Sequence, residues 1–224
     1  MEASTVPKQP AAVRLRITEI FLSVQGESRS VGLPTAFVRL TGCPLRCGYC
    51  DTEYAFHGGE WMELGQILRA VHELAVTQVC VTGGEPLAQK DCRMLLHALC
   101  DAGYSVSLET SGALDIAGLD PRVVVVMDLK TPGSGEAQRN RYENLAALRP
   151  QDQIKFVICD REDYLWARDQ VQRRALAEGC EVLFSPVWGR IEPRLLAEWI
   201  LEDRLPVRFQ LQLHKLLWGE APGH

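Results

Sequence analysis

Three cysteines lie close together in the stretch GCPLRCGYC, residues 42–50, and their thiols are the groups best suited to carry chemistry. Cys43, Cys47 and Cys50 are separated by three and two residues, with no fourth cysteine nearby. A structural zinc site closes four ligands, so zinc would need a further donor here, for which His57 is a candidate. A disulfide leaves one thiol unpaired. An iron–sulfur cubane normally takes four cysteines, and three leave one iron open to an outside ligand, which is a catalytic arrangement.

Two further polar stretches follow predicted strands. The segment VTGGEPL, residues 81–87, by itself predicts a tight turn, because two adjacent glycines adopt backbone conformations that other residues avoid. The segment SLETSG, residues 107–112, ends the next strand, and Glu109 within it is a candidate polar contact. The alternative for this segment is a strand-to-helix turn in which Thr110 or Ser111 serves as the helix cap.

Regular elements must position these residues, and the sequence alternates two kinds of element. Short runs rich in β-branched residues predict strands over residues 15–22, 35–40, 77–82, 104–110, 122–128, 153–159, 180–185 and 207–213. Apolar residues at three- and four-residue spacing predict helices over residues 61–74, 88–101, 161–178 and 192–202. Residues 130–140 are predicted to form a loop directly after a strand.

Alternation of strands and helices predicts an α/β fold with a parallel sheet and crossover helices. With about six repeats, the candidates are an open doubly wound sheet and a full or partial (β/α) barrel, and in either the site lies at the carboxyl ends of the strands. A length of 224 residues fits one domain. We expect that domain to cover residues 14–224, after a disordered lead-in over residues 1–13.

Composition and charge exclude several classes of protein. Hydrophobic residues make up 46% and charged residues 24% of the chain, as in ordinary globular domains. The formal net charge of −5 argues against nucleic-acid binding. No apolar run approaches the roughly 20 residues that span a bilayer, and the first residues lack a signal-peptide pattern, so we expect no membrane partner and a cytoplasmic location. The isolated cysteines are expected to be buried thiols of a reduced protein, and they are Cys80, Cys92, Cys100, Cys159 and Cys180.

The cysteine spacing, with Tyr49 directly before the last cysteine, resembles the signature of the radical S-adenosylmethionine enzymes. The resemblance implies a 4Fe-4S cluster whose open iron binds S-adenosylmethionine, which is then cleaved by one electron to a 5′-deoxyadenosyl radical. It also implies a single-domain full or partial parallel (β/α) barrel. Under this resemblance, the stretch 81–87 is the loop that contacts the methionyl amino group, and Glu109 contacts the methionine or the ribose.

A more specific resemblance runs from about residue 14 to residue 219. The stretches EIFLSVQGES, DLKTPGSGE, FSPVWGRIEP and RFQLQLHKLLWG, together with the region around the cysteines, are similar to the 7-carboxy-7-deazaguanine synthase family. This implies a carbon–nitrogen lyase that converts 6-carboxy-5,6,7,8-tetrahydropterin to 7-carboxy-7-deazaguanine and releases ammonia, in the biosynthesis of queuosine and other 7-deazapurines. It also implies Mg2+ as a cofactor, a homodimer, and a reductant protein such as a flavodoxin or ferredoxin.

The same resemblance implies roles for individual residues. Cys43, Cys47 and Cys50 are implied as the cluster ligands, and Thr52 as a ligand of Mg2+ through its hydroxyl. The implied substrate contacts are Val24, Gln25, Gly26, Arg39 and Thr82, with the Arg39 guanidinium facing the substrate carboxylate. The implied contacts to S-adenosylmethionine are Tyr49, Cys50, Asp51, Gly84, Glu109, Asp128, Leu129, Lys130, Ser185, Pro186, Val187 and Trp188. No catalytic side chain is implied beyond the cluster and the cofactor.

Two other functions stay open at this stage. Another small radical enzyme, such as an activase that abstracts hydrogen from a glycine of a partner protein, would show the same cysteine spacing. A non-catalytic zinc or iron–sulfur module would need only the thiols. Arg39 and the VQGE stretch favour a small carboxylated substrate over the activase, because an arginine within a strand is best explained by a bidentate carboxylate partner.

Overall fold

The computed structural model describes residues 13–219, 221 and 223, so the predicted lead-in lies outside the described residues apart from Val13. Within these residues, one sheet of nine strands forms the centre of the molecule. Its strands are β1 (Arg14–Val24), β2 (Pro34–Leu40), β3 (Glu60–Glu63), β4 (Gln78–Gly83), β5 (Ser105–Thr110), β6 (Val124–Asp128), β7 (Gln153–Ile158), β8 (Glu181–Pro186) and β9 (Arg208–Phe209). The α-helices are α1 (Leu64–Glu73), α2 (Cys92–Asp101), α3 (Arg161–Arg173), α4 (Leu176–Gly179), α5 (Pro193–Glu202) and α6 (Leu213–Trp218).

The strand order is β3-β1-β2-β4-β5-β6-β7-β8-β9. Strand β1 runs antiparallel to both of its neighbours, whereas β2 and β4 to β9 run parallel. From β2 onward the spatial order follows the chain order, so the sheet is wound in one direction. A doubly wound sheet reverses direction part-way, and that alternative is excluded. The predicted partial (β/α) barrel is confirmed, in an open form.

The alternation of side chains along each parallel strand separates an apolar layer from a polar one. Apolar strand residues pack under the helices in two clusters, which include Val38, Leu40, Val81 and Leu108 in the first and Ile154, Phe156 and Phe184 in the second. Successive side chains of a strand point to opposite faces of the sheet. The intervening residues Arg39, Thr82, Glu109 and Lys155 therefore lie on the other, concave face.

Several predicted element boundaries are wrong. The predicted helix over residues 88–101 begins only at Cys92, and strand pairing explains two further differences. The predicted helix over residues 61–74 begins only at Leu64, because residues 60–63 pair with β1 as an edge strand. The predicted strand over residues 207–213 is shortened to β9, which pairs with β8 through two residues only. The chain then turns into the short helix α6.

The long helix predicted over residues 161–178 is interrupted near its end. Ala175 adopts a left-handed backbone conformation with φ of 49°, which ends α3 and starts the single turn of α4. A left-handed residue cannot continue a right-handed helix, although the apolar periodicity continues through it. None of the helices in the described part of the chain combines the length and apolarity that crossing a bilayer requires.

The segment between β1 and β2 joins distant parts of the sheet. The Ser28 amide donates to Gln210 Oε1 at 2.7 Å, and the Arg29 amide donates to Gln153 Oε1 at 2.8 Å. The Leu213 amide donates to the Gly26 carbonyl at 2.9 Å. These bonds fix the segment against the beginning of β7 and the chain after β9, and so place its buried carboxylate, Glu27, inside the barrel.

Candidate active site

One cavity of about 420 Å³ opens at the carboxyl ends of the parallel strands. All three clustered cysteines line it, as do residues from the ends of β2, β4, β5, β6 and β7 and from the loop after β8. The predicted site residues that line the cavity are Arg39, Cys43, Cys47, Tyr49, Cys50, Asp51, Thr52, Thr82, Gly84, Glu109, Asp128, Lys130, Val187 and Trp188. The structure therefore brings together residues that are as far apart in sequence as Arg39 and Trp188.

The cysteine loop follows β2 and presents three half-buried, unpaired thiols to the cavity. Burial raises the pKa of the Cys47 thiol to about 11, so a metal must displace a proton to bind. Within the part of the chain that the structure describes, no three His, Cys, Asp or Glu side chains converge on a position for a single metal ion. A cubane cluster does not require such convergence, since each thiolate binds a different iron. Three thiols on one loop facing one cavity fit this cluster.

The glycine-rich stretch holds the cysteine loop against β4. A Cβ atom added at Gly84 would lie 2.0 Å from the Gly42 carbonyl oxygen, so only glycine permits this approach. The Glu85 amide donates to the same oxygen at 2.8 Å. The predicted tight turn is thus also a contact between two loops that border the cavity.

Glu85, which sequence reasoning did not select, ties a third loop into this arrangement. Its fully buried carboxylate accepts hydrogen bonds from the Thr110 hydroxyl at 2.9 Å and the Ser111 amide at 2.7 Å. The alternative in which Thr110 or Ser111 caps a helix is wrong, because residues 111–123, all of which the structure describes, contain no helix. Its position directly after the two glycines of TGGEP is the sequence feature from which a role for Glu85 could have been predicted.

Arg39 lies on the concave face with a carboxylate already beside it. Its Nε donates to Glu19 Oε1 at 2.6 Å, and Tyr54 donates to the same oxygen at 2.8 Å. The guanidinium carbon lies 5.8 Å from the centre of the Tyr54 ring. Burial would lower the pKa of Arg39, but Tyr54 and Glu19 raise it above its ordinary value. The arginine is therefore a fixed, permanently charged cation in the cavity wall.

Glu27 and Lys155 form a buried ion pair across the barrel that sequence reasoning missed. Burial would raise the pKa of Glu27 and lower that of Lys155, but each charge stabilises the other, so the first pKa is lowered and the second raised. Nearby Glu109 has the opposite shift, because burial dominates and raises its pKa. A lysine in the middle of the apolar strand QIKFVI was the signal that could have revealed the pair.

Several buried polar atoms at the cavity lack a partner among the described residues. They include Tyr49 Oη, one carboxylate oxygen of Asp128 and one of Glu27. The other Asp128 oxygen accepts from Lys130 Nζ at 2.8 Å, and burial raises the pKa of Tyr49. Buried polar atoms without partners are costly, so these atoms fit a site that binds a polar ligand.

Thr52 lies at the cavity next to Asp51. Its hydroxyl donates to Asp51 Oδ1 at 2.9 Å, and the other carboxylate oxygen accepts from Lys215 Nζ at 2.7 Å. Lys215 comes from α6, near the end of the described chain, and was not selected from the sequence. A neutral oxygen beside a carboxylate is compatible with a hard cation such as Mg2+.

Comparison with known proteins agrees with this geometry. The family model of the radical SAM superfamily matches residues 37–129. The chain is 48% identical over 208 residues to the 7-carboxy-7-deazaguanine synthase of Chlorobaculum tepidum, covering 92% of this chain and 94% of the relative. It is 43% identical to the protein of the same name from Koribacter versatilis, covering 91% of this chain and 97% of the relative. The chain belongs to the 7-carboxy-7-deazaguanine synthase family. As members of the radical SAM superfamily, these proteins use a 4Fe-4S cluster and S-adenosylmethionine.

The fold is shared with a solved structure. The crystal structure of QueE from Escherichia coli matches with a TM-score of 0.70 at 23% identity, covering 90% of this chain and 95% of that one. At this identity the likeness concerns the fold.

Some residues implied by the resemblance to 7-carboxy-7-deazaguanine synthases lie outside the cavity lining of this family member. Val24, Gln25 and Gly26 are not among the lining residues, whereas Glu27, the next residue, is. Leu129 is fully buried in the apolar core, and Ser185 is 1% exposed at the end of β8. Pro186 is buried beside it. The isolated cysteines Cys80, Cys92, Cys100, Cys159 and Cys180 are all buried and unpaired, which confirms their prediction.

Proposed function

We propose that this chain catalyses the conversion of 6-carboxy-5,6,7,8-tetrahydropterin to 7-carboxy-7-deazaguanine with release of ammonia, as a radical lyase in queuosine and 7-deazapurine biosynthesis. The observation that carries the proposal is a single cavity in which three thiols face a wall of buried charges of both signs. Family membership supports the same reaction. The radical activase and the non-catalytic metal module are disfavoured, because neither accounts for these charges.

In this proposal Cys43, Cys47 and Cys50 hold the cluster, each at one iron. When bound, the cluster and S-adenosylmethionine together supply hydrogen-atom abstraction from carbon. Around them Tyr49, Gly84, Glu109, Asp128, Lys130, Val187 and Trp188 would bind the cofactor, and all of these residues line the cavity. The unpartnered oxygens of Tyr49 and Asp128 suit the amino and hydroxyl groups of such a ligand.

The substrate has a carboxylate and several N–H donors, and the concave face offers partners for both. Arg39 and Lys155 supply positive charge, and Glu27 and Glu109 supply acceptors for N–H groups. Thr82 donates to Glu109 Oε2 at 3.2 Å, which orients that carboxylate. The protein's contribution is to hold the substrate near the cofactor and to keep water out, rather than to provide a nucleophile.

Arg39→Ala is expected to weaken substrate binding by about 2–5 kcal/mol, because the substrate carboxylate would lie in the cavity without the guanidinium that pairs with it. S-adenosylmethionine binding should stay close to the wild-type value. The measurement is equilibrium binding of each ligand to reconstituted protein under anaerobic conditions. Arg14→Ala, a change at an exposed residue of β1, serves as the control. Equal losses of affinity for both ligands would show that Arg39 has a general structural role instead.

Thr52→Ala is expected to lower turnover and to blunt its response to Mg2+, while cluster content stays unchanged. A metal held by one neutral protein oxygen depends on the substrate carboxylate for most of its favourable charge. Metal and substrate should therefore raise each other's affinity by the same factor. The measurement is the steady-state rate against Mg2+ concentration after chelator treatment. The assignment of Thr52 as a Mg2+ ligand would be contradicted if the wild-type rate did not depend on Mg2+ concentration, or if the rate of the mutant depended on it as the wild-type rate does.

We further propose a homodimer. Leu216 and Leu217 on α6 are 53% and 54% exposed, and Leu33 in the adjoining segment is 46% exposed. Exposed apolar residues on neighbouring segments are typical of an interface between subunits. Sedimentation of the wild type and of a Leu216→Asp, Leu217→Asp variant tests this assignment, since the variant should be a monomer.

The reductant and the cellular location complete the proposal. A cluster of this type needs a one-electron donor, for which a flavodoxin or ferredoxin is suited. All eight cysteines are unpaired thiols, which fits the reducing conditions of the cytoplasm.

The decisive experiment is anaerobic incubation of reconstituted protein with reductant, S-adenosylmethionine, Mg2+ and the carboxylated tetrahydropterin. Mass detection of 7-carboxy-7-deazaguanine supports the proposal, and a reconstituted cluster without this product contradicts it.

A further inference from the structure

The backbone on both sides of Cys47 is held by a second loop, residues 131–136, here named the support loop. The Arg46 amide donates to Glu136 Oε1 at 2.6 Å. The Gly48 amide donates to the Ser134 carbonyl at 3.0 Å. The position of the central cysteine therefore depends on the shape of the support loop.

A buried carboxylate on helix α3 fixes that shape. Asp163 is 1% exposed, and its Oδ1 accepts from the Gly133 amide at 2.8 Å. Its Oδ2 accepts from the Thr131 hydroxyl at 2.8 Å and from the Cys159 amide at 3.0 Å. A Cβ atom added at Gly133 would lie 2.6 Å from Asp163 Oδ2, so the loop approaches the carboxylate as closely as glycine allows.

Hydrogen bonds inside the support loop connect Thr131, which contacts Asp163, to Ser134 and Glu136, which contact the cysteine loop. The Ser134 hydroxyl donates to the Thr131 carbonyl at 2.6 Å, and the Glu136 amide donates to the Ser134 hydroxyl at 3.0 Å. Thr131 and Ser134 are buried. Neither they nor Asp163 is among the residues that line the cavity. An unbroken series of contacts thus runs from Asp163 to the amides beside Cys47 without entering the ligand site.

We infer that Asp163 is a positioning residue for the cysteine loop and that it controls how firmly the cluster is retained. The inference rests on the proposed cluster ligands. Each thiolate must stay aimed at its iron, and outer partners of metal ligands commonly change metal retention when they are altered. An asparagine at this position keeps one acceptor oxygen but turns an amide donor toward groups that are themselves donors. The support loop would then lose contacts while the three thiols remain.

Asp163→Asn is the test variant, and Asp152→Asn is its matched control. Asp152 is equally buried at 1% exposure and also accepts from backbone amides, those of Val125 and Arg149, at 2.8 Å each. It accepts from the Arg149 guanidinium as well, at 3.0 Å, so its replacement disturbs at least as many contacts. It directly precedes β7, whereas the cavity lies at the carboxyl ends of the strands. Both variants leave a buried polar site imperfectly bonded, but only one of these sites touches the support loop.

The measurement is the rate of cluster loss, followed by the decay of visible absorbance after an iron chelator is added to anaerobically reconstituted protein. Iron and sulfide content at the start and the thermal unfolding midpoint are recorded for every variant. We expect Asp163→Asn to lose its cluster roughly tenfold faster than wild type, and Asp152→Asn to lose it at the wild-type rate. Glu136→Ala, which removes the acceptor for the Arg46 amide, should also accelerate the loss.

A wild-type rate in Asp163→Asn overturns the inference, as does an equal acceleration in Asp152→Asn, since that result reports only general destabilisation. If Asp163→Asn does not fold, Glu136→Ala decides, and an unchanged rate in that variant overturns the inference. Failure of the wild-type chain to take up a cluster contradicts the proposed function instead, so the two ideas fail separately.

Discussion

Replacement of Cys47 by alanine will abolish both cluster binding and turnover. The three thiols line one cavity on one loop, so each is expected to bind one iron and none can substitute for another. Loss of the central thiol leaves two protein ligands for a cluster that already has an open position. The measurement is iron and sulfide per chain after anaerobic reconstitution, together with product formation.

The control for this experiment is Cys92→Ala. Cys92 is fully buried in the first apolar cluster, at the start of α2, and does not line the cavity. Its replacement is expected to lower the free energy of unfolding by on the order of 1 kcal/mol and to leave the iron content unchanged. A full complement of iron and sulfide in Cys47→Ala would show that Cys47 is not a ligand.

Lys155→Met will lower the free energy of unfolding by about 3–5 kcal/mol, because it leaves the buried carboxylate of Glu27 without its partner. The side chains of Lys155 and Glu27 are only 12% and 7% exposed. The lysine also lies near the charges of Asp128 and Glu109, so the loss should extend to substrate binding. Urea unfolding of the cluster-free protein at pH 7 measures the first effect.

The pH dependence of this loss follows from the direction of the shifts. The folded-state pKa of Glu27 is lowered from 4.5, so its contribution to stability is present above that pH and is lost as the pH falls through the folded value. The folded-state pKa of Lys155 is raised from 10.5, so its contribution is present below that pH and is lost only as the pH rises through the folded value. The difference between wild type and Lys155→Met should therefore be largest between these limits and should shrink in acid.

A double-mutant cycle with Glu27→Gln isolates the ion pair. When both charges are removed, position 27 no longer holds an uncompensated buried charge, so the double mutant should recover much of the stability that Lys155→Met loses. Losses that simply add would show that the two charges do not act as a pair in the folded protein.

Much of the fold could be predicted from the sequence, because strands and helices leave local patterns. The boundaries that failed were decided by pairing partners. The apolar spacing of residues 61–74 predicts one helix, yet residues 60–63 pair with the free edge of β1 and form a strand. After β9, the backbone turns into α6, where Lys215 bonds to Asp51 and the Leu213 amide bonds to Gly26. No local pattern specifies partners at such separations.

The sequence by itself predicted the chemistry that we propose for the site. The spacing of Cys43, Cys47 and Cys50 and the glycines of the TGGEP stretch are local features, since one loop carries all three thiols and one turn needs its glycines. Their chemistry can therefore be predicted from the sequence alone. The alternation of residues such as Val38, Arg39 and Leu40 also determined which face of each strand would be polar.

Only the tertiary structure decided which charges meet on that polar face. Glu27 and Lys155 are separated by more than half of the chain, and they pair because the segment after β1 is fixed against the beginning of β7. Asp163 reaches the cysteine loop only through the support loop. Burial gives these pairs their strength, since a charge removed from water depends on its one remaining partner. Burial and partnership arise only when the whole sheet has formed, and so neither can be derived from a residue and its neighbours in sequence.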